Sequence, residues 1–474
     1  MKIRLSLLVL LCVSLFITSC SNDDDNNPTP TPPMEKNIVE LALDTPELST
    51  LVAALSRADG DLVNVLSGNG PFTVLAPTNA AFTAFLADNG FSSLDQVPTD
   101  VLSQILLNHV IMSDVTSSDL IAAGSGYAKG SATGAGDQNI SIFFDTTNGV
   151  RFNNAASVST ADIDASNGTI HIINAVLGLP DIVDHAIANP SFTSLVTALG
   201  AADGDLVNVL KGAGPFTVLA PDNDAFETFL DGTALGDVNT AVLSQILLNH
   251  VIIGSTVTSS FLVDAGSGYT NTAATGAGGN PMSLYFNTSS GVTFNGISTV
   301  FEADIVGTNG IIHAVETVIG IPTVVTFAAA DPNFSTLVTA LTDLTPGTDF
   351  AAILSRTEGS NADGINPNFT VFAPTNDAFD ALESVPGEAV LTQVLLHHVI
   401  GEANVTSSML NNPGDTTAAT LQGDNMTITL PGAGDNIANI TDGSGASDIG
   451  IIAVDVQAGN GVIHVINKVM IPNL

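Results

Sequence analysis

Histidine is the residue of this chain best suited to acid–base or metal chemistry, and its positions recur. The sequence holds 8 histidines, and a neutral imidazole both titrates near physiological pH and binds transition metals. Two sets of three share a sequence context. The first set ends an apolar segment: His109, His250 and His398. The second set closes Gly-x-Ile-His or a close variant of it: His171, His313 and His464. A general base or a metal ligand would be sought first in these two sets.

The surroundings of these histidines argue against a metal site. Such a site normally needs three or four donors, and no Cys, His-Glu-x-x-His or His-x-His pattern lies near them. His397 and His398 are adjacent, so on a helix their side chains point about 100° apart. Both sets are therefore interpreted as hydrogen-bonded structural histidines, and neither a metal nor a cofactor is expected.

Other catalytic patterns do not stand out in the sequence. It shows no Gly-x-Ser-x-Gly elbow, paired carboxylates or Walker loop, and its 2 cysteines are Cys12 and Cys20. The acidic residues of Asp435–Asp448 match neither an EF-hand nor the nonapeptide calcium repeat in spacing. The Gly-rich segment Ala132–Gly136, which recurs at Ala274–Gly278, is interpreted as a polar loop. The chain is predicted not to be an enzyme.

The elements that must position the histidines come in a fixed order. Three segments of the first copy have helical spacing of apolar residues: Pro46–Leu55, Gly60–Leu66 and Pro98–His109. Phe72–Ala76 is predicted to be a buried strand, and Thr78 a helix N-cap. Four further strands are predicted: Ile140–Phe144, Val150–Asn153, Val158–Ile163 and Thr169–Val176. Asn148-Gly149 predicts a type I′ hairpin turn. Helices followed by an antiparallel sheet indicate an α+β domain.

This order occurs three times along the chain. Ala-Pro-x-Asn-x-Ala-Phe begins at Ala76, Ala220 and Ala373, and the first two prolines, Pro77 and Pro221, are 144 residues apart. Such a period is the length of a globular domain rather than of a solenoid repeat. The third copy is more divergent and carries extra residues around Thr345–Asn368, a segment typical of a surface loop.

The motifs of each copy resemble the fasciclin (FAS1) family. The resemblance rests on Phe72–Asn79, Asn108-His109 and Gly168–His171 and covers nearly the whole chain after its N-terminal segment. It implies an α+β fold in which a β-sandwich wedge is flanked by helices. It also implies a role in adhesion, through binding of extracellular matrix, cell surfaces or glycans.

The resemblance carries over a set of motif residues, interpreted as mostly structural with an adhesive role as the alternative. They are Asn79, Asn108, His109, His171, Asn223, Asn249, His250, His313, Asn376, His397, His398 and His464. The family places a tyrosine before the middle histidine, where this chain has Asn108, Asn249 and His397. Integrin binding through that tyrosine segment is therefore not expected, and the chain contains no Arg-Gly-Asp.

The N-terminus predicts export. Residues 1–19 combine basic residues, a short apolar run and small residues, as in a signal peptide. Cys20 follows in a context that resembles a bacterial lipobox, which implies a lipid anchor; a plain signal peptide is the alternative. Residues 20–36 form an acidic, Pro/Thr-rich tether that resembles a surface-export tag. The expected location is the outer membrane, facing the cell exterior.

Charge narrows the partners. The chain has 47 acidic residues against 9 Lys and Arg, a formal net charge of −38. Nucleic acid is excluded, because phosphate contacts need clustered cations. Binding of anionic lipid headgroups is excluded for the same reason, so the membrane is expected to be met through the N-terminal lipid alone.

Together these features predict three tandem fasciclin-like domains at 37–180, 181–322 and 323–474. The predicted function is multivalent attachment to matrix, cells or polysaccharide, because repetition raises avidity without new contacts. The alternative is a glycan or small-ligand capture module associated with an outer-membrane uptake system.

Overall fold

The structure, a computed structural model, describes residues 35–474. The predicted signal peptide, Cys20 and nearly all of the tether lie outside the described residues. Within them, three similar units follow one another, and each begins with helices and ends with strands. No helix between residues 35 and 474 is long and apolar enough to cross a bilayer.

The units share one order of elements. The first contains α1 (Ile38–Asp44), α2 (Ser49–Arg57), α3 (Leu62–Ser67), β1 (Phe72–Pro77), α4 (Asn79–Asp88), α5 (Thr99–Leu107), β2 (Val110–Ile111), α6 (Ser117–Ala123), β3 (Ser125–Thr133), β4 (Asn139–Asp145), β5 (Arg151–Phe152), β6 (Ala156–Ala165) and β7 (Gly168–Ile173). The second contains α7 (Ile182–Ala188), α8 (Thr193–Ala201), α9 (Leu206–Leu210), β8 (Phe216–Pro221), α10 (Asn223–Leu230), α11 (Thr240–Leu248), β9 (Val251–Ile253), α12 (Ser259–Ala265), β10 (Ser267–Thr275), β11 (Pro281–Asn287), β12 (Thr293–Phe294), β13 (Ser298–Val306) and β14 (Gly310–Val315).

The third unit has the same plan with one helix fewer. It contains α13 (Val324–Ala330), α14 (Ser335–Thr342), α15 (Phe350–Leu354), β15 (Phe369–Pro374), α16 (Asn376–Asp380), α17 (Glu388–His397), β16 (Val399–Ile400), β17 (Gly414–Ala419), β18 (Asn425–Leu430), β19 (Ala438–Thr441), β20 (Ile449–Ala458) and β21 (Gly461–Ile466). Short 3₁₀ helices lie at Pro46–Leu48, Leu94–Gln96, Ala135–Asp137, Pro190–Phe192, Leu235–Asp237, Ala277–Gly279, Pro332–Phe334 and Ser407–Met409.

Each unit builds one seven-stranded sheet, which in the first unit closes into a barrel. One parallel pair joins the first strand of the unit to the last: β1 with β7, β8 with β14, and β15 with β21. The other pairings are antiparallel. The predicted α+β fold, a β-sheet assembly flanked by helices, is confirmed.

The first strand of each sheet lies at the centre of the core. All six residues of β1 are buried, as expected for a strand packed on both faces. Phe72, Val74 and Ala76 face the helices, whereas Leu75 packs with Ile111 in the sheet-side core. This alternation follows from the two-residue period of a strand. One strand therefore joins both halves of the core.

Two local predictions need correction, and one helix was missed. Asn148-Gly149 is not a type I′ turn, because Gly149 has a positive φ of 81° and Asn148 does not. Consecutive positive φ angles occur instead at Asn153 and Asn154, in the next turn. The helix predicted to reach His109 ends at Leu107, and the capped helix α1 was not predicted from the sequence.

The first and second units are joined by a tyrosine. Tyr127 on β3 packs against the helical core of the second unit, with its ring 5.9 Å from that of His185 on α7. Asn189 donates from its Nδ2 atom to the Tyr127 hydroxyl at 3.2 Å. Beside it, the backbone N–H of Val306 donates to Oγ of the buried Ser141 at 2.9 Å. The junction is therefore both apolar and hydrogen-bonded.

The second junction repeats the first. Tyr269 on β10 lies 5.7 Å from the ring of Phe327 on α13, and its hydroxyl donates to Asp331 at 3.0 Å. The N–H of Gln457 donates to Oγ of Ser283 at 2.9 Å, as Val306 does to Ser141.

The Gly-rich segments interpreted as polar loops also lie at these junctions. The N–H of Ala135 donates to the carbonyl oxygen of Gly307 at 2.9 Å. A Cβ at Gly134 would lie 2.7 Å from that oxygen, and a Cβ at Gly276 would lie 2.6 Å from the carbonyl oxygen of Ala458. Both positions require glycine because the neighbouring unit approaches so closely.

Tyr127→Thr and Tyr269→Thr are expected to loosen their respective junctions. Each change removes an aromatic side chain that packs on the next unit, and we expect the free energy of unfolding to fall by about 2 kcal/mol. This loss is smaller than the loss caused by removal of a fully buried aromatic side chain. Small-angle X-ray scattering should show a broader distribution of maximum dimensions. Ile121→Thr, at a residue that is 61% exposed, is the control. Scattering curves identical to that control would contradict the expectation.

Candidate functional site

The motif residues are distributed over three hydrogen-bonding positions in each unit, two of them buried, and do not form one cleft. The first position is the asparagine that starts the helix after the central strand. Asn79 accepts from the N–H of Thr50 at 2.8 Å and donates to the carbonyl oxygen of Pro46 at 3.0 Å. Asn223 and Asn376 make the equivalent pairs of bonds. This asparagine therefore ties the helix after the central strand to the first helical corner of the unit.

The second position is the middle histidine. The Nδ1 atom of His109 lies 2.7 Å from the carbonyl oxygen of Ile105, so it carries the proton, and Nε2 accepts from the N–H of Leu177 at 2.9 Å. His250 bonds Ile246 and Ile319 in the same way, and His398 bonds Val394 and Met470. Each ring joins the end of a helix to the last segment of its unit. All three are buried, and His398 also lines a cavity inside the third unit.

The residue before this histidine is also buried. Asn108 donates to the carbonyl oxygen of Gly178 at 2.8 Å, and Asn249 donates to that of Gly320 at 3.0 Å. In the third unit His397 takes this position: its Nδ1 lies 3.1 Å from the Thr420 hydroxyl and its Nε2 accepts from the N–H of Gly443.

One difference between the first two units leaves a polar atom without a partner. Oδ1 of Asn249 accepts from the Thr272 hydroxyl at 3.1 Å, whereas Oδ1 of Asn108 is buried with no partner. Gly130 stands where the second unit has Thr272, since both lie directly beside these amides. The first unit therefore lacks one hydroxyl that the second supplies.

The third position is the histidine of Gly-x-Ile-His. Nε2 of His171 lies 2.9 Å from the carbonyl oxygen of Val115, and Nδ1 accepts from the N–H of Asp162 at 3.2 Å. His313 and His464 have the same two partners, Val257 with Asp304 and Val405 with Asp455. The rings therefore join the last strand of each sheet to the loop before a short helical segment.

A serine lies close to this histidine and aspartate in every unit, a grouping that the sequence analysis did not detect. Asp162, with a positive φ of 55°, accepts from both the N–H and the hydroxyl of Ser117. Ser259 with Asp304 and Ser407 with Asp455 repeat the arrangement. The serine donates to the carboxylate and not to the histidine, whose Nε2 is already bonded to a carbonyl oxygen. The order needed for an activated serine is therefore absent from these groups.

The sequence analysis also missed an asparagine that makes more contacts than any motif histidine. Asn167, directly before Gly168, accepts from the N–H of Ile38 at 3.0 Å. Its Nδ2 donates to the carbonyl oxygens of Leu66 and Gly68, at 2.9 and 2.8 Å. Asn309 and Asn460 repeat these bonds. The signal was present as Asn-Gly before each Gly-x-Ile-His strand, but its partners lie some hundred residues earlier.

Acidic side chains do not gather into a metal site within the described part of the chain. No group of three or more His, Cys, Asp or Glu in residues 35–474 has a geometry that could hold an ion. Asp442, in the segment weighed for calcium, uses its two oxygens on the N–H groups of Ser444, Ala446 and Ile471. Its carboxylate holds the C-terminal segment in place.

Burial sets the protonation of the middle histidines. Desolvation lowers the pKa of His109, His250 and His398 from 6.5 to about 4, against the opposing effect of the bond to a backbone carbonyl. The pKa of His185, at the first junction, is lowered to about 4 by the same cause. The folded chain therefore keeps these rings neutral where an unfolded chain would bind protons.

Stability is expected to fall as the pH is lowered from 6.5 to 4. In that window the unfolded state binds a proton at each such histidine and the folded state does not. Each histidine therefore lowers the free energy of unfolding by about 1.4 kcal/mol for each pH unit that the pH falls. Above pH 6.5 the unfolded state no longer binds these protons, so the neutral histidines no longer lower the free energy of unfolding. His109→Gln should lower the stability of the first unit at pH 7. It should also make the free energy of unfolding of that unit less dependent on pH, by the contribution of one histidine.

Hydrogen exchange read by mass spectrometry at several pH values checks this expectation, because it resolves peptides of each unit. Carboxylates that titrate in the same range affect the variant and the parent chain equally and cancel in the comparison. A slope in the first unit that is unchanged by His109→Gln would contradict the assignment.

Gly130→Ser is expected to raise the stability of the first unit by about 1 kcal/mol. The new hydroxyl can donate to the unpartnered Oδ1 of Asn108, and removal of a glycine from a strand adds to the gain. The Cβ would lie 2.9 Å from that oxygen, so the amide must shift slightly. Thr272→Gly should destabilise the second unit by a similar amount. Thermal unfolding measures both, and a loss of stability in Gly130→Ser would contradict the expectation.

Comparison with known proteins agrees with the fold and its repetition. The Fasciclin domain matches this chain three times, at residues 46–180, 190–322 and 332–472. Human periostin is 26% identical over 442 residues, which cover 90% of this chain and 46% of periostin. The pig transforming growth factor-beta-induced protein ig-h3 is 27% identical over 92% of this chain and 58% of its own length. The chain thus spans about half the length of these curated relatives.

Two further matches are more limited in extent. Protein sll1483 of Synechocystis is 40% identical over 140 residues, which cover 30% of this chain and 72% of that protein. A solved FAS1 domain pair from the insect cell adhesion molecule Fasciclin I aligns with 58% of this chain, at 18% identity and a TM-score of 0.37. Since the three family matches cover most of the chain, the protein belongs to the fasciclin domain family.

Proposed function

We propose that this protein is a non-enzymatic adhesion or extracellular binding protein in which three fasciclin domains attach jointly to matrix, cells or polysaccharide. The observation that carries the proposal is the repeated junction, in which Tyr127 and Tyr269 fix each domain on the next through equivalent contacts. Equivalent surfaces held at a fixed spacing gain avidity, because the second contact is made at high effective concentration.

The motif residues fit a supporting role better than a contacting one. Asn108, His109 and His171 are buried, and their polar atoms are bonded to backbone groups with the exception of the Asn108 Oδ1 atom. A partner would therefore meet the loops and helix faces that these residues position. The domain boundaries proposed remain 37–180, 181–322 and 323–474.

Anchoring at the cell surface completes the proposal. A lipid on Cys20, followed by the 20–36 tether, would hold the array outside the outer membrane. The net charge of −38 supports this exposed position, because a strongly charged chain resists self-association.

Capture of a small ligand is the second candidate, and one cavity favours it. It lies between α13, α14, α15 and the sheet of the third domain, and its apolar lining includes Val325, Ala328 and Leu341. Its volume is about 70 Å³. A cavity that holds benzene measures about 150 Å³, so only a few apolar atoms would fit here. Adhesion is therefore the stronger proposal.

Binding of residues 35–474 to arrays of glycans and matrix proteins tests the adhesive function. A chain ending at 322 should bind the same ligand more weakly, because one domain is lost. This truncation uncovers the Tyr269 face, so it should carry Tyr269→Thr, and the full-length Tyr269→Thr chain is its control. Equal affinity of both chains would favour a single-domain pocket. On cells, Cys20→Ser should release the full protein into the medium if the lipid anchors it.

A further inference from the structure

We propose that the first two domains each bind an aliphatic side chain of a basic partner segment, in a cleft between their third and fifth helices. In the first domain this cleft lies between α3 and α5, and in the second between α9 and α11. The inference rests on the proposed adhesive function and names the chemistry of its partner. It describes a contact for two of the three domains and leaves the contact made by the third domain unassigned.

The cleft of the first domain is apolar and open to solvent. Its lining includes Leu62, Leu66, Leu107 and Ser131, and it has a volume of about 50 Å³. Two apolar side chains form its exposed rim: Val65 is 48% exposed and Met112 is 61% exposed. A space of this size accommodates the end of one aliphatic side chain rather than a ring or a sugar.

The second domain repeats both the cleft and its rim. The lining includes Leu206, Leu210, Leu248 and Ala273, with a volume of about 20 Å³. Val209 and Ile253 stand at the rim and are 48% and 59% exposed. The rim is apolar in both domains, although Met112 of the first domain corresponds to Ile253 of the second. Burial of either rim against a partner would remove apolar area from water, which is favourable.

The third domain indicates which side chains the cleft can bind, because residues of that domain cover its equivalent surface. Gly401 takes the position of Met112 and Ile253, directly after the short strand β16. A Cβ there would lie 2.8 Å from Cδ2 of Leu421 and 3.6 Å from the carbonyl oxygen of Asn366. Asn366 belongs to the segment inserted in the third domain, and the adjacent Ile365 packs against that domain's core. Aliphatic side chains of the same chain thus cover the surface that is open in the other two domains.

Acidic residues beside the cleft favour a basic partner. A second, wider hollow adjoins the cleft of the first domain and shares Leu62 and Leu107 with it. Asp59 and Asp100 line this hollow. In the second domain Asp203 follows α8 as Asp59 follows α2, and each accepts a hydrogen bond from a threonine hydroxyl. With a net charge of −38 on the whole chain, Lys or Arg beside the aliphatic residue complements this surface.

A short fluorescein-labelled peptide with alternating Leu and Lys is the probe, and residues 35–474 are the target. Calorimetry should give two peptides per chain. Met112→Ser and Ile253→Ser should each reduce this to one, and the double variant should bind none. Ile121→Ser is the matched control, because Ile121 is as exposed as Met112 but lies on α6, away from the lining residues. Asp59→Asn should weaken binding to the first domain alone by about tenfold if a desolvated charge pair is lost.

Several outcomes would overturn the proposal. These are three peptides per chain, unchanged binding by the double variant, or equal binding of a peptide with Glu in place of Lys. Equal binding of a peptide with Ser in place of Leu would show that charge alone attracts the probe. The adhesion assay separates the two claims: a double variant that attaches to the wild-type ligand with unchanged affinity contradicts the clefts and leaves the adhesive function standing. Peptide binding without attachment to any matrix or glycan would support the clefts and contradict the adhesive function.

Discussion

The start of the last strand of each domain is tied to the helices of that domain by one asparagine side chain. Asn167 lies immediately before β7 and bonds to the N–H of Ile38 and to two carbonyl oxygens at the end of α3, while its own carbonyl oxygen accepts from the N–H of Phe72. The asparagine thus supplies hydrogen-bond partners to backbone groups at the ends of helices and strands. It connects the helical half of the domain to the sheet. Asn309 and Asn460 have the same task in the second and third domains.

The motif histidines extend the same principle to the rest of the domain. Each ring uses one nitrogen as donor and the other as acceptor, which suits it to join one carbonyl oxygen and one N–H of the backbone. His109 does so between the end of α5 and Leu177, and His171 between Val115 and Asp162. Recurrent histidines thus reflect recurrent backbone groups that need partners in the core. For the middle histidines the consequence is sensitivity to acid, because burial lowers the pKa of His109, His250 and His398.

The sequence allowed the repeat, the α+β class and the central strand to be predicted, because these depend on local spacing and composition. The family resemblance supplied the motif residues. The partners of His109 and Asn167 could not be predicted, since Leu177 and Ile38 are distant in sequence and contribute only backbone groups, which any residue type carries. The junction was also hidden: Gly-Ser-Gly-Tyr recurs visibly at Tyr127 and Tyr269, but nothing local shows that His185 or Phe327 receives the ring.

The third domain differs from the first two at the position of the junction tyrosine. Tyr269 pairs across the sheet with Tyr285, and the corresponding pair of the third domain is Thr417 with Thr427, whose hydroxyls lie 3.2 Å apart. The junction is heterologous, so an aromatic pair on this face would present a docking surface to the helical half of a further domain, and repeated contacts of this kind propagate into open filaments. Two threonines bonded to each other make that face polar instead. The third domain therefore keeps the strand pairing of the other two while its sheet face lacks the aromatic pair that forms their junctions.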